Sequence, residues 1–179
     1  MTATISINQD DMTAALRGFL LSLVDAEVFL AQENLVPMPN QDFVTMTPMF
    51  ITGLSTNRVA YNDPGSGVGS EMTQRSSQWR CQLDFYGSTA QEMASVVGTM
   101  IRSEYSANWF RQNNHHITPL YAGEPHQTTM INAEKQYENR WTLDFMAQVN
   151  AVITTPLYFF DNIEVTAIAA DLKYPPENA

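Results

Sequence analysis

Nine basic and 19 acidic side chains give the 179-residue chain a formal net charge of −10, and 44% of its residues are hydrophobic. This length and composition predict one globular domain rather than a disordered chain. The acidic balance argues against a surface that grips nucleic acid, which needs clustered lysine and arginine. A single cysteine excludes a disulfide or a zinc quartet of cysteines within the chain. The apolar run FLLSLV is too short to cross a bilayer, so we expect a soluble protein made in a reducing cytoplasm.

The first predicted element is a helix, DDMTAALRGFLLSLV, with Asp10 or Asp11 as its N-cap. Its apolar residues recur at helical spacing and predict a stripe that packs in the core. The members of this stripe are Met12, Leu16, Phe19, Leu20 and Leu23. Pro37 and Pro39 then interrupt regular structure. The segment DFVTMTPMFITGL predicts a strand bent at Pro48, and STNRVAYND is expected to return as its partner strand.

The next stretch, DPGSGVGS, is rich in glycine. It lacks the lysine of a phosphate-binding loop and opens no helix, so phosphate binding is disfavoured. We expect a mobile arm or a hairpin tip here, with a flexible loop or arm over residues 62–75 of a single domain spanning 1–179, reaching a neighbouring subunit or an adjoining ring. Candidate contact residues in it are Asp63, Gly65, Gly67, Gly69 and Arg75. Deleting residues 65–70 is then expected to weaken assembly and leave the monomer folded.

The frame R-x-x-L-D-F follows, and it occurs twice, as RCQLDF from Arg80 and as RWTLDF from Arg140. Both copies alternate apolar and polar residues, which predicts two half-buried strands. The apolar face of the first contains Trp79, Cys81, Leu83 and Phe85, and that of the second contains Trp141, Leu143, Phe145, Ala147 and Val149. The alternative is a solvated polar face whose repeated spelling is a coincidence.

The polar faces carry Arg80 and Asp84 in the first copy and Arg140 and Asp144 in the second. Within one strand such an arginine and aspartate lie roughly 13 Å apart, too far to pair. Parallel in-register neighbours would place like charges opposite each other, which is destabilising. We therefore expect either an antiparallel register that sets Arg80 opposite Asp144, or two strands separated by another. The four charges are also candidate subunit contacts, and reversing one is expected to change assembly without changing the fold.

Between the two copies, STAQEMASVVGTMIRSEYSANWF predicts a second helix with Ser88 as its N-cap. Its apolar positions repeat at three and four residues. They are Met93, Val96, Val97, Met100 and Ile101. The long polar segment 111–139 contains only short apolar pieces. The second copy of the frame is expected to run from about residue 138 to about 151, and IEVTAIAADLKY predicts a last strand.

No catalytic, metal-binding or cofactor-binding residue is predicted, and no cofactor. His115 and His116 are adjacent, and in an extended segment adjacent side chains point to opposite sides, so they are poorly placed to share a metal with each other or with His126. Cys81 lies on an apolar strand face and is expected to be a small core residue. No nucleophile elbow or H-E-x-x-H motif occurs.

Four segments, ENLVPMPNQDFVTMTP, QLDFYG, PLYAGEPHQTTMINAEKQYENRWTLDF and VTAIAADLKYPP, resemble phage neck terminator proteins in order and spacing. These proteins are also called tail terminator or tail-completion proteins, and the resemblance covers roughly residues 5–176. It implies an α/β (α+β) fold in which two main helices pack on a mainly antiparallel or mixed sheet. It also implies a non-enzymatic structural protein of the virion tail or neck, assembled in the host cytoplasm.

The resemblance further implies a homohexameric ring that ends the tail tube and joins it to the neck. Its partners would be copies of itself, the tail tube, the sheath if the tail is contractile, and neck or connector proteins. DNA would pass through the lumen without specific binding, an expectation that an acidic surface favours, and no membrane is involved. Two alternatives are another head–tail joining or minor tail component, and an enzyme or sensor that binds a small ligand between sheet and helices.

Overall fold

The structure is a computed structural model, and it describes residues 2–32, 39, 41–113, 117–131, 135–159 and 164–166. The helices in these ranges are α1 (Gln9–Leu21), α2 (Ala90–Ile101) and α3 (Glu104–Gln112). The strands in the first half of the chain are β1 (Thr4–Ile5), β2 (Glu27–Leu30), β3 (Phe43–Gly53), β4 (Arg58–Asn62), β5 (Val68–Gln74) and β6 (Ser77–Tyr86). Those in the second half are β7 (Ile117–Ala122), β8 (His126–Gln127), β9 (Met130–Ile131), β10 (Tyr137–Glu138), β11 (Arg140–Val149) and β12 (Val152–Tyr158).

The strands form two main sheets. The central sheet has the order β2-β3-β6-β11-β7, with β8 also paired to β11. The outer sheet has the order β1-β12-β5-β4, and β9 and β10 form a separate pair. Only β2 and β3 run parallel among these described pairs. The predicted α+β class, with a mainly antiparallel or mixed sheet packed by helices, is confirmed.

The core lies between the three helices and one face of the central sheet. The apolar parity of the repeated frame points into it, and Cys81, Leu83, Leu143 and Phe145 are fully buried. The predicted stripe of α1 is also confirmed, because four of its members are buried and Leu23 packs partly buried against the core. The apolar residues that alternate along the two strands and those that recur at helical spacing in α1 therefore pack together in one core.

The N-cap of α1 is Asn8, not Asp10 or Asp11. The Asn8 side chain accepts a hydrogen bond from the Asp11 backbone N–H at 2.9 Å, and the Asp11 carboxylate accepts one from the Asn8 N–H at 2.9 Å. This reciprocal capping box satisfies two backbone donors that the first helical turn would otherwise leave free. Asp11 thus contributes to the cap from inside the helix.

The predicted second helix is two helices, because α2 ends at Ile101 and α3 begins at Glu104. The Ser106 hydroxyl donates to the Ile101 carbonyl at 2.8 Å and so satisfies a group that the end of α2 exposes. The change of direction brings Phe110 of α3 within 5.1 Å of the Phe19 ring centroid. Val96 of the predicted apolar face is exposed, since the buried face of α2 is narrower than expected. It consists of Ala90, Met93, Ala94, Val97, Gly98 and Ile101.

The start of α2 is capped from outside the helix, by Asp42, and the N-cap position is Thr89 rather than Ser88. The Asp42 carboxylate accepts hydrogen bonds from the backbone N–H of Ser88 at 2.9 Å and of Thr89 at 3.0 Å. The hydrogen bond from the Thr89 side chain, together with those from the two amides, lowers the pKa of Asp42 despite the opposing effect of burial. This carboxylate therefore ties the start of β3 to α2.

Replacing Asp42 by alanine is expected to cost about 1 kcal/mol of folding free energy at pH 7. Because the folded-state pKa of Asp42 is lowered, its contribution is present above the unfolded pKa and is lost as the pH falls below about 4. Urea unfolding at pH 7 and at pH 3 tests this, with Asp25→Ala, an exposed aspartate, as the control. An equal difference between wild type and Asp42→Ala at both pH values would contradict it.

Several strand predictions need correction. β4 pairs with β5 and not with β3, so STNRVAYND is not the partner of the bent strand. The pairing of β3 with β6 shifts register between Pro48 and Phe50, at the place where the bend was expected. The second frame strand ends at Val149 and is followed by β12, a strand that the sequence pattern does not predict. The predicted last strand lies mostly outside the described residues, as do His115 and His116, and residues 164–166 have no regular structure.

Candidate assembly surface

No helix of the described chain covers the outer sheet, and most of its residues are exposed or only partly buried. Its strands contact mainly one another, whereas the helices pack on the central sheet. Among its strand residues only Gly69 is buried. A sheet normally buries one face against another layer, and that burial supplies most of its stability. The outer sheet therefore presents surface that the described part of the chain leaves largely uncovered.

One face of the outer sheet carries a row of β-branched side chains across all four strands. Ile5 lies opposite Ile153, Ile153 opposite Thr73, and Thr73 opposite Val59. We call these four residues the apolar row. Ile5 is 57% exposed, and Ile153 and Val59 are each 44% exposed. Tyr61, two residues beyond Val59 and on the same face, is also exposed. Exposed apolar side chains grouped on one sheet face, here on both sides of Thr73, are typical of protein contact sites.

The predicted flexible arm is a β-hairpin with a short tip. Residues 63–67 lie between its two strands, at the place expected for a hairpin tip, whereas most of the remaining expected loop or arm forms β5. At the tip, the Asp63 carboxylate accepts a hydrogen bond from the Gly65 N–H at 2.8 Å. Gly65 and Gly67 have φ of +75° and +84°, a left-handed conformation that favours glycine. The tip is thus a defined turn that leaves both hairpin strands extended.

Gly69 serves close packing rather than flexibility. A Cβ atom there would lie 2.3 Å from the Phe159 ring and 2.7 Å from the Asn62 carbonyl oxygen. Gly69 is also paired with Leu157 of β12. Deleting residues 65–70 would remove this part of β5 and disturb the ladder. A deletion confined to the tip, residues 64–67, is the better test of the hairpin.

Arg75 lies just beyond β5 and contacts the end of β3. Its Nε donates to the Ser55 carbonyl at 3.2 Å, and its guanidinium lies over Gly53. It therefore joins the outer sheet to the central sheet within the chain. Contact of Arg75, Asp63 or the three hairpin glycines with another subunit stays a prediction.

The two copies of the repeated frame are adjacent antiparallel strands, β6 and β11. Adjacent antiparallel pairing was one of the two expected arrangements. The register differs by two residues, because Asp84 lies opposite Thr142 and Asp144 lies opposite Gln82. Both expected ion pairs nevertheless form, as diagonal rather than direct neighbours. They are Arg80–Asp144 and Arg140–Asp84, the second at 2.8 Å.

Asp84 is the centre of this polar cluster and is only 3% exposed. Its carboxylate accepts hydrogen bonds from Arg140 at 2.8 Å, from the Thr142 hydroxyl at 2.7 Å and from the Gln82 amide at 2.9 Å. The hydrogen bond to Asp84 raises the pKa of Arg140, whose guanidinium also lies 5.8 Å from the Tyr86 ring centre. In the observed register Thr142 lies opposite Asp84 and donates its hydroxyl to the carboxylate. In the expected register Arg140 would have held that position.

These four charges have partners within their own chain, so the reason for regarding them as free for other subunits is removed. Reversing Asp144 is now expected to weaken the fold as well, because Arg80 would face a like charge. The hydrogen bond to Asp144 raises the pKa of Arg80, which also lies over the Phe50 ring at 5.4 Å. A role for any of the four in assembly remains a prediction.

The described residues hold no group of three or more histidine, cysteine, aspartate or glutamate side chains placed to bind a metal. Burial raises the pKa of the Cys81 thiol to about 12, which agrees with a core residue and not with a nucleophile. His126 contacts the Glu124 carbonyl through Nδ1 at 3.2 Å. No helix in the described ranges is long and apolar enough to cross a membrane.

The family model for phage neck terminator proteins matches residues 10–172 of the chain. The chain belongs to the phage neck terminator protein family. A search of curated proteins found no match. Family membership makes the chain a structural component of a phage tail or neck. An exposed sheet on a structural protein is a candidate surface for contacts with other proteins. The match includes both copies of the repeated frame and the whole hairpin.

Of the surfaces of this neck terminator, sequence reasoning identified the hairpin but not the sheet that contains it. The missing partner was β12, whose segment VITTPLY combines two threonines with a proline and shows no clear alternation. β1, at two residues, is too short to give a periodic signal. The apolar row forms only in the folded chain, where β12 pairs with β5 of the hairpin and β1 pairs with β12.

Proposed function

We propose that the chain assembles with copies of itself into a closed ring, a hexamer as its resemblance implies, that ends the tail tube and joins it to the neck. The observation that supports this most strongly is the outer sheet, with its exposed apolar row and no helix of the described chain packed on it. A neighbouring copy would cover this surface and supply the burial that the sheet lacks.

A closed ring needs two different patches on each subunit, since each copy must contact one neighbour through one patch and the other through the second. The outer sheet is one such patch and lies apart from the layer of helices. The helix layer and the edges of the central sheet remain available for the second patch. One chain can therefore carry both halves of a head-to-tail contact.

The ring would bound the channel through which DNA passes between head and tail. A net charge of −10 supports passage without adhesion, because acidic side chains repel phosphates and release no counterions from DNA. The tail tube, the sheath of a contractile tail and the connector proteins of the neck are the further partners that we propose.

Native mass spectrometry of the purified full chain tests the ring. We expect one discrete oligomer of six copies whose population rises with protein concentration and persists at physiological ionic strength, because the contact is largely apolar. A chain that stays monomeric over the accessible concentration range, or that forms open oligomers of every size, would contradict the proposal.

A further inference from the structure

Each of the two main sheets has an open edge strand, β4 in the outer sheet and β2 in the central sheet. The following inference about these edges rests on the proposed ring. We propose that β4 of one copy adds to the edge of the central sheet of the next copy at β2, with Arg58 facing Asp25 and Glu27. This contact would join the outer sheet of each subunit to the central sheet of its neighbour by main-chain hydrogen bonds.

Open edges are normally protected, and two of the four edges of the two main sheets in the described chain are. β1 is only two residues long. β7 contains Pro119, and its pairing with β11 shifts register after Met146. Short length, proline and bulges are devices that prevent edge-to-edge pairing. Neither β4 nor β2 has a proline or a register shift in its ladder.

β4 is the more open of these two edges. All five of its residues are exposed, and its outer side pairs with no strand in the described ranges. β2 likewise has no described strand on its outer side, although the Val28 carbonyl accepts a hydrogen bond from Arg17 Nε at 3.0 Å. Two edges of the described chain that lack proline and register shifts can therefore pair with each other between copies, leaving the Val28 carbonyl to Arg17.

The charges beside the two edges are complementary. Arg58 begins β4, is exposed, and has no carboxylate partner within the described part of the chain. Asp25 and Glu27 are exposed beside β2, and neither has a cation partner among the described residues. On a chain with net charge −10, an unpaired arginine at an open edge favours an acidic partner.

A cleft lies along the β2 edge, with a volume of about 330 Å³. Its lining includes Asp25 and Glu27 together with the exposed apolar side chain of Leu21. Val59 and Tyr61 of β4 bring exposed apolar surface of the kind that Leu21 would contact. The occupant that fits is thus a second copy of this chain, because charge and apolar surface on β4 both find a counterpart at β2.

Charge reversal in both halves of the contact tests the pairing, with assembly measured by native mass spectrometry and analytical ultracentrifugation. Arg58→Glu is expected to raise the subunit dissociation constant about tenfold or more, and the double variant Asp25→Lys/Glu27→Lys to have a similar effect. Combining all three changes should restore assembly to within roughly threefold of wild type, because the charges are exchanged rather than lost. At concentrations low enough that wild type and variants are all monomeric, their melting temperatures should be equal.

Lys135→Glu is the matched control, since Lys135 is exposed and also lacks a carboxylate partner in the described ranges. It should assemble like wild type. Arg58→Glu that assembles normally would overturn the β4 contact and leave the ring intact. Loss of assembly in Arg58→Glu without recovery in the triple variant would overturn β2 as the receiving edge. A wild-type chain that never oligomerises would overturn both this contact and the ring.

Discussion

Replacing Asp84 by alanine is expected to lower the free energy of unfolding by about 3 kcal/mol, because it leaves a buried charge cluster without its acceptor. Asp84 accepts hydrogen bonds from Arg140, Thr142 and Gln82. Without it, the half-buried Arg140 guanidinium keeps its positive charge and loses the carboxylate beside it. Urea unfolding at neutral pH measures the change.

The matched control is Glu124→Ala, which removes the carboxylate of an exposed ion pair with Arg102. Exposed pairs contribute little, because water screens them and both side chains lose freedom when they pair. We therefore expect a much smaller change than for Asp84→Ala. Equal effects of the two variants would show that the Asp84 cluster does not hold β6 to β11.

Placing a charge in the apolar row is expected to weaken self-association at least 100-fold, roughly 3 kcal/mol. Ile153 is the position of choice, because it lies between Ile5 and Thr73 in the interior of the sheet. In Ile153→Glu, assembly would have to bury an unpaired carboxylate. The isolated chain should unfold nearly as wild type, since the side chain is already 44% exposed.

Ile131→Glu makes the same change at another exposed strand isoleucine, in the two-stranded β9–β10 pair, and Ile131 is 57% exposed. It is expected to leave the dissociation constant unchanged when both variants are compared by analytical ultracentrifugation. Normal assembly of Ile153→Glu would remove the apolar row from the interface. A similar loss in Ile131→Glu would show a general effect of added negative charge.

The central sheet could be predicted from the sequence because its signals are local. Alternation around Leu83 and Leu143 gave two half-buried strands, and the arginine and aspartate in each required opposite charges nearby. The register could not be fixed to the residue, because a shift of two preserves the buried face and still lets Arg140 reach Asp84 diagonally. Which of the two arrangements occurs depends on packing that spacing alone does not contain.

The caps and the outer sheet could not be predicted because they depend on residues distant in sequence. Asp42 caps a helix 46 residues later through the Ser88 amide, so no N-terminal motif in the helix itself reveals it. The outer sheet pairs Ile5 with Ile153 and Ile153 with Thr73, three segments with no common pattern. Residue types around the glycine-rich stretch predicted an arm or a hairpin tip, whereas the strands that pair with it follow only from the tertiary fold.

The most direct test of the ring is an electron cryomicroscopy reconstruction of the tail of the phage that encodes this chain. We predict six copies in a closed ring at the head-proximal end of the tail tube, with the outer sheet of each copy packed against its neighbour. A reconstruction that lacks the chain at that end, or that shows the outer sheets facing solvent between separate copies, would contradict this account.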